Sequence, residues 1–122
     1  MAFKVQCSNI MFQGVASNIE HYMNLLSVRQ KLVASNIANA DTPGYRTQDI
    51  DFRTEFDQQL SQSPRVIQPD GLAVKPDGNN VNVDREARLL SENALRFAVA
   101  SNMAVSELHQ IRSAIDGGTT GA

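Results

Sequence analysis

The residues best suited to proton transfer near neutral pH are the two histidines, His21 and His109. Neither has a cysteine, a tight carboxylate pair or a glycine-rich loop close in sequence, so both read as surface or interface side chains. A small hydrolase using His109 with Glu107 is a third class of function, and the sequence gives it almost no support. Cys7 is the single cysteine, which excludes an intramolecular disulfide and metal sites made of several thiolates, and it reads as a small unreactive side chain. Asp77-Gly78-Asn79-Asn80-Val81-Asn82-Val83-Asp84 has the outline of a calcium loop. Val81 occupies a ligand position, however, and Arg88 stands where a bidentate glutamate belongs. Asp49, Asp51, Glu55 and Asp57 are acidic but spread over several faces, and are expected to be solvated carboxylates. There is no phosphate-binding glycine loop. The expectation is a protein that is not an enzyme, with no cofactor, no metal and no small-molecule substrate.

Asn36 and Asn39 are the polar residues that stand out, because they lie near the end of an apolar helical repeat. Their amides can cap the last free carbonyls of the helix. Beside an apolar seam they can also make register-specific hydrogen bonds to a neighbouring helix. The helix has to end just beyond them: Asp41-Thr42-Pro43-Gly44 forbids it to continue, and Tyr45 emerges straight after the turn. Proline lacks an amide donor and pushes Thr42 toward an extended conformation, while Gly44 accepts positive φ, so Pro43-Gly44 predicts a type II turn.

The elements that must position these residues are helical. Among the 122 residues there is no tryptophan, and only five phenylalanines and two tyrosines. Small and branched apolar residues instead recur at helical spacing, which favours long helices over a ball-shaped core. Ile19, Met23, Leu26, Gln30, Val33, Ile37 and Ala40 follow a four-three alternation, widened by Tyr22, Leu25 and Leu32. Ala-Ser-Asn-Ile occurs at Ala16–Ile19 and again eighteen residues later at Ala34–Ile37. That offset is about five helical turns, so the two copies face the same way.

Val83, Ala87, Leu90, Ala94, Phe97, Ser101, Ala104, Leu108, Ile111 and Ile115 hold the same alternation in a second helix. Asn82 caps its start, Asp84 and Glu86 favour its positive end, and Gly117-Gly118 stops it. Arg88–Glu92 and Glu92–Arg96 are spaced to pair along its exposed side, at about 0.2–0.5 kcal/mol each. Leu95, Val99, Met103 and Val105 lie off the seam, so one partner helix leaves apolar surface that asks for further copies or other chains.

Between the helices, Gln48–Phe52 alternates polar and apolar as a short extended segment, and Arg53–Gln62 has Phe56 and Leu60 as its apolar pair. Arg65–Gln68 and Leu72–Lys75 flank Pro69-Asp70-Gly71, a pattern that predicts a small β-hairpin. Pro76–Asn80 is a second breaker cluster. Met1–Gly14 has apolar residues for a short amphipathic helix interrupted by Gly14, and its conformation stays open.

A net charge of −2 gives no basic footprint for nucleic acid. The broken apolar content of the N-terminus lacks the continuous stretch of a Sec-type signal, and no segment approaches the ~20 apolar residues of a membrane span. Export, if it occurs, is expected by another route.

The run Ala34–Tyr45 (ASNIANADTPGY) closely resembles the signature of bacterial flagellar rod and hook proteins, and Arg46–Phe52 (RTQDIDF) is similar to its continuation in short proximal-rod members. Asp77–Val81 with Asp84 and Glu86, and Ile111–Ile115, resemble the same members, so the likeness spans about Ile19 to Gly118. Hook and distal-rod relatives carry a large central domain, for which there is no room between Phe52 and Val83. The other short proximal-rod type usually has a longer insertion after the signature threonine.

The resemblance implies a non-enzymatic subunit of the rod crossing the periplasm, which transmits torque from rotor to hook and filament. It implies export by the flagellar type III apparatus without a cleaved signal peptide. Its implied partners are other rod subunits, copies of itself in a helical assembly, and a rotor-ring adaptor protein.

The expected fold is mainly α, with long N- and C-terminal helices pairing as an antiparallel coiled-coil hairpin in one domain. Its parts are an N-terminal segment (1–14), a helix (15–40), a turn-rich extended middle with the hairpin (41–82), a helix (83–116) and a flexible tail (117–122). Asn36, Ile37, Asn39, Thr42, Pro43, Gly44, Tyr45, Ile50, Phe52, Leu90, Phe97, Ala104, Leu108, Ile111 and Ile115 are the expected assembly residues, with Tyr45 and Ile50–Phe52 projecting toward a neighbour. The competing class is a soluble helical adaptor or chaperone-like module that uses the same seam for one partner helix.

Overall fold

The structure, a computed structural model, describes the backbone of residues 2–58 and 63–118 and, within those ranges, the side chains from Gly14 onward. Expectations about the side chains of Phe3, Val5, Cys7, Ile10, Met11 and Phe12, about Leu60, and about residues 119–122 fall outside the described residues. The elements are α1 (Ala2–Ala38), β1 (Asp49–Ile50), α2 (Phe52–Gln58), β2 (Val66–Ile67) and α3 (Val83–Gly118). Helix α1 is continuous through Gly14, so the expected break there is absent. A single glycine weakens a helix by only about 1 kcal/mol and does not by itself stop one. Among the described residues, no helix is long and apolar enough to cross a membrane.

The end of α1 is built as the local chemistry requires. After Ala38 the chain tightens through successive three-residue closures, Ala40 N to Ile37 O at 3.2 Å and Thr42 N to Asn39 O at 3.0 Å. Pro43 and Gly44 then form the turn, closed by Tyr45 N donating to Thr42 O at 3.2 Å with Gly44 at φ 73°. At the other long helix, Asn82 Oδ1 accepts from Arg85 N at 3.1 Å, the expected N-cap. Helix α3 runs through Gly117 to Gly118.

The middle segment differs from expectation. β2 pairs antiparallel with β1, Asp49 opposite Ile67 and Ile50 opposite Val66, and not with Leu72–Lys75. Burial decides this: Ile50 is in the core, and its strand offers the backbone partners that β2 needs, whereas Val74 is exposed. Gly71 still takes positive φ, at 77°. Leu72–Lys75 leads instead into a second tight turn, in which Gly78 N donates to Lys75 O and Lys75 N to Asn79 O.

Helices α1 and α3 pack antiparallel, with Asn36 meeting Glu86 and Leu26 meeting Asn93. The contact line on α3 is not the apolar alternation read from the sequence. Glu86, Asn93 and Ala100 are buried, while Val83, Leu108 and Ile115 are exposed. Leu90 and Ala104 stay half-buried beside that line. The helix is thus rotated so that its apolar stripe is only partly covered by α1. Hydrogen bonds explain the rotation, since Asn93 Nδ2 donates to Leu26 O and to Gln30 Oε1, each at 2.9 Å. On its other side α1 buries Leu25, with Pro64 across a shallow groove, while Tyr22 packs edge-on against Phe52 and Phe56 of α2. Glu92 pairs with Arg96 as expected, but Arg88 donates to Asp84 O.

The two turns touch through their glycines. A Cβ on Gly78, which has φ +84°, would lie 3.4 Å from Gly44 Cα, whereas one on Gly44 would meet open space. Replacing Gly78→Ala is expected to lower stability by about 1–2 kcal/mol, the left-handed penalty of an L-residue. Gly44→Asn should lose less, because asparagine tolerates that region. Urea unfolding followed by circular dichroism checks the order; equal losses would show that the left-handed turns do not discriminate between alanine and asparagine.

Candidate functional site

The signature turn is held in a polar junction where α1 ends, β1 begins and α3 starts. Asn36 is at its centre and is 0% exposed. Its Nδ2 donates to Gln48 O at 2.8 Å and to Glu86 Oε2 at 3.0 Å; its Oδ1 accepts from Gln48 N at 3.0 Å and from Tyr45 Oη at 3.2 Å. These partners leave one orientation for the amide, because Glu86 can only accept and Gln48 N can only donate. With the Tyr45 proton committed to Asn36, Ser35 Oγ donates to Tyr45 Oη at 3.2 Å. Asn36 therefore makes the register-specific bond to a neighbouring helix, but that helix is α3 of its own chain. Asn39 plays the terminating part: its Nδ2 donates to Ser35 O at 2.8 Å, and its Oδ1 accepts from Thr42 Oγ1.

Around Asn36 runs a chain of alternating charges. Arg29 donates to both Asp49 oxygens, Nε at 3.0 Å and Nη2 at 3.1 Å. Arg85 donates from Nη2 to Asp49 Oδ2 at 2.9 Å and from Nη1 to Glu86 Oε1 at 2.6 Å. Two guanidiniums and two carboxylates thus balance in a largely dry site, tying α1, β1 and α3 together. Removing one member of such a set strands its partner's charge, at about 3–5 kcal/mol. Asp49 is therefore a buried structural anion and not the solvated carboxylate expected of it.

A second clamp comes from the loop that resembles a calcium site. Asn79, also 0% exposed, donates from Nδ2 to Asn39 O at 2.9 Å and to Thr42 O at 2.8 Å, adding a second bond to each of the carbonyls that close the turns after α1. Asn80 Oδ1 accepts from Thr47 N at 2.7 Å, while Thr47 Oγ1 donates to Asn80 O at 3.1 Å. Lys75 Nζ donates to Ala40 O at 2.9 Å. The loop's side-chain oxygens are engaged by backbone amides, with Asp77 Oδ1 bonded to Asn79 N and Asn79 Oδ1 to Val81 N. Among the described residues no cluster of metal-ligating side chains forms.

His21 and Asp51 have architectural partners. His21 Nε2 donates to Glu55 O at 3.1 Å, and its ring stacks near Phe56, so it seats α2 on α1. His109 is exposed. Asp51 caps α2, and its carboxyl is held below the usual range by the Thr54 hydroxyl and then by the Thr54 amide. That cap is in force above the ordinary carboxyl pKa and weakens as pH falls through the lowered one.

Of the expected assembly residues, the structure gathers Asn36, Asn39, Thr42, Pro43, Gly44 and Tyr45 into the junction, with Ile37 half-buried beside them. Tyr45 turns inward to Asn36, Ile50 is buried and Phe52 packs on Tyr22, so these do not project toward a neighbour as expected. Phe97, Leu108, Ile111 and Ile115 lie on the exposed side of α3 away from the junction. Arg29, Thr47, Asp49, Asn79, Asn80, Arg85, Glu86 and Asn93 were not among the expected assembly residues, although Thr47, Asp49, Asn79, Asn80 and Glu86 lie in the stretches that carry the family resemblance. Spacing offered a further signal, since Glu86, Asn93 and Ala100 are spaced by sevens.

The antiparallel α1–α3 pair and the turn that ends α1, locked by side chains that bond one another, define a mainly helical protein whose polar junction serves its architecture. Residues 23–46, the end of α1 and the turn, match the family model for flagella basal body rod proteins. The chain is 31% identical over 122 aligned positions to the flagellar basal body rod protein FlgB of Salmonella typhimurium, covering 79% of this chain and 88% of that protein. It is 23% identical to FlgB of Bacillus subtilis, over 88% of this chain and 98% of that protein, and 27% identical to FlgB of Escherichia coli K12, over 79% and 88%. The chain belongs to the FlgB family of flagellar basal body rod proteins, structural subunits of that rod.

Replacing Asn36→Leu would strand Glu86 Oε2 and the Gln48 backbone groups, and is expected to cost about 3 kcal/mol or more in urea unfolding. Asn36→Asp would place a carboxylate against Glu86. Such a pair holds a proton more tightly folded than unfolded, so stability of this variant should rise as pH falls below neutrality. A flat pH profile for Asn36→Asp would count against the contact.

Proposed function

We propose that this chain assembles laterally with other rod subunits, and with copies of itself, through the two flanks of the α1–α3 pair, while the polar junction fixes the register of α1 against α3 within each subunit. The observation that carries this reading is the apolar surface that α3 leaves uncovered. On one flank stand Leu95, Val99 and Met103, the first 67% exposed; on the other stand Phe97, Leu108 and Ile115, the last two 67% and 64% exposed. A groove of about 490 Å³ runs between α1 and Leu95, Val99 and Met103, and one of about 360 Å³ lies beside Leu108 and Ile111. Surface of this kind on both sides suits a subunit with neighbours on both sides.

In this reading α1 and α3 wind as a coiled coil in the assembled rod, which crosses the periplasm and carries torque from rotor to hook and filament. The export route is the flagellar type III apparatus, without a cleaved signal peptide, and a rotor-ring adaptor protein is the expected partner at the rod base. A rod under torque needs register that does not slip. Hydrogen bonds of fixed geometry at the junction supply this better than apolar contacts, which tolerate sliding.

The test is incorporation into basal bodies in a strain lacking its own copy of the gene. The wild-type chain should restore completed rods and swimming. Val99→Asp, Leu108→Asp and the double change Pro43→Ala with Gly44→Ala should not, with the two aspartate variants keeping their helical circular dichroism. Motile cells with intact basal bodies in all three variants would overturn the reading. A stable one-to-one complex with another protein and no incorporation would favour an adaptor.

A further inference from the structure

The groove beside Leu108 is walled by Ile19 and Met23 of α1 and by Ala104, Leu108 and Ile111 of α3, and a carboxylate, Glu107, interrupts it. Glu107 Oε1 is shielded from solvent yet receives no hydrogen bond from any described residue. Its place on α3 continues the line of Glu86, Asn93 and Ala100 by sevens, and the polar members of that line are otherwise bonded to α1, Glu86 through Asn36 and Asn93 through Leu26 O and Gln30. Among the described residues, the α1 wall of this groove is Ala16, Ile19, Glu20, Met23 and Asn24, none of them cationic, and the Asn24 amide makes no hydrogen bond to Glu107 Oε1. Along α3, the positions three and four residues away are Met103, Ala104, Gln110 and Ile111, so no helical ion pair can form.

A carboxylate oxygen only accepts, and one set in an apolar wall is best matched by a guanidinium or ammonium delivered from outside. We propose that this groove receives an amphipathic helix of a neighbouring subunit whose apolar stripe is interrupted by an arginine or lysine that pairs with Glu107. The inference rests on the lateral-assembly reading and adds to it the chemistry of the incoming helix. Glu20, on the same groove, reinforces the preference for a cation. An all-apolar helix of equal shape would leave the Glu107 oxygen buried and unpaired, so the groove discriminates among otherwise similar helices by one charge.

Two synthetic amphipathic helices of leucine and alanine, alike except for a central arginine or its uncharged analogue citrulline, probe this on the full chain by fluorescence anisotropy. The arginine peptide should bind about tenfold more tightly, the scale of a charge-assisted hydrogen bond. Glu107→Gln should erase the difference while leaving citrulline-peptide binding unchanged. The melting midpoint of Glu107→Gln should stay level or rise, because the change relieves an unpaired carboxylate; a clear fall would mean the chain's own fold holds Glu107, and would overturn the inference. Equal binding of the two peptides to the wild-type chain, or binding of neither, would also overturn it. If the wild-type chain enters basal bodies without an arginine preference, the inference falls and lateral assembly stands. If the preference is present but the chain enters no basal body, lateral assembly falls and the groove's charge selection stands.

Discussion

The hydrogen bonds of Asn36 are the constraint on which the rest of the fold depends. One amide, completely buried, joins the last turn of α1 to the backbone entering β1 and to a carboxylate in the first turn of α3. A polar group so placed is stabilising only when every partner is present, and so it couples three segments distant in sequence. Glu86, held on one oxygen by Asn36, is held on the other by Arg85, which reaches on to Asp49 and through it to Arg29. Apolar packing alone would let α1 and α3 slide by a turn; this network permits one register.

That arrangement divides the molecule into two ends of different character. At the junction, polar side chains and turn carbonyls find partners within the chain, down to the Asn79 amide on the carbonyls of Asn39 and Thr42. Further along α3 the situation reverses, with leucine, valine and isoleucine facing solvent. Burying a side chain of that size is worth about 1.5–3 kcal/mol, so in the proposed lateral assembly each exposed flank would gain stabilisation from a neighbour. For a member of a rod-protein family, an end whose polar groups are bonded within the chain and an end with exposed apolar side chains suit the lateral assembly proposed above.

Much of this was legible. The stop of the first helix, the Pro43-Gly44 turn, the Asn82 cap, the length of α3 and its surplus of apolar surface were all readable from residue type and spacing. The pairing of β2 was not, because Val66-Ile67 carries no mark of its partner, and Ile50 became the choice only once it was buried against α1. The face that α3 turns to α1 was misread for a related reason. Periodicity ranks faces by apolarity, whereas here Glu86 and Asn93 win the interior through bonds to Asn36, Leu26 O and Gln30. Asp49 looked like one solvated acid among several until Arg29 and Arg85 converged on it from two helices.

What the amino-acid sequence determined by itself is what covalent geometry and near neighbours control: where α1 ends and α3 begins, where φ must be positive, and that one partner helix cannot cover α3. These follow from proline's missing donor, glycine's missing Cβ and side chains a few residues apart. The tertiary structure alone decided which polar residues go inside, which strand pairs with which, and which oxygen, that of Glu107, finds no donor among the described residues. Those outcomes depend on groups dozens of residues apart arriving together, and a hydrogen bond has no worth until its partner is in place.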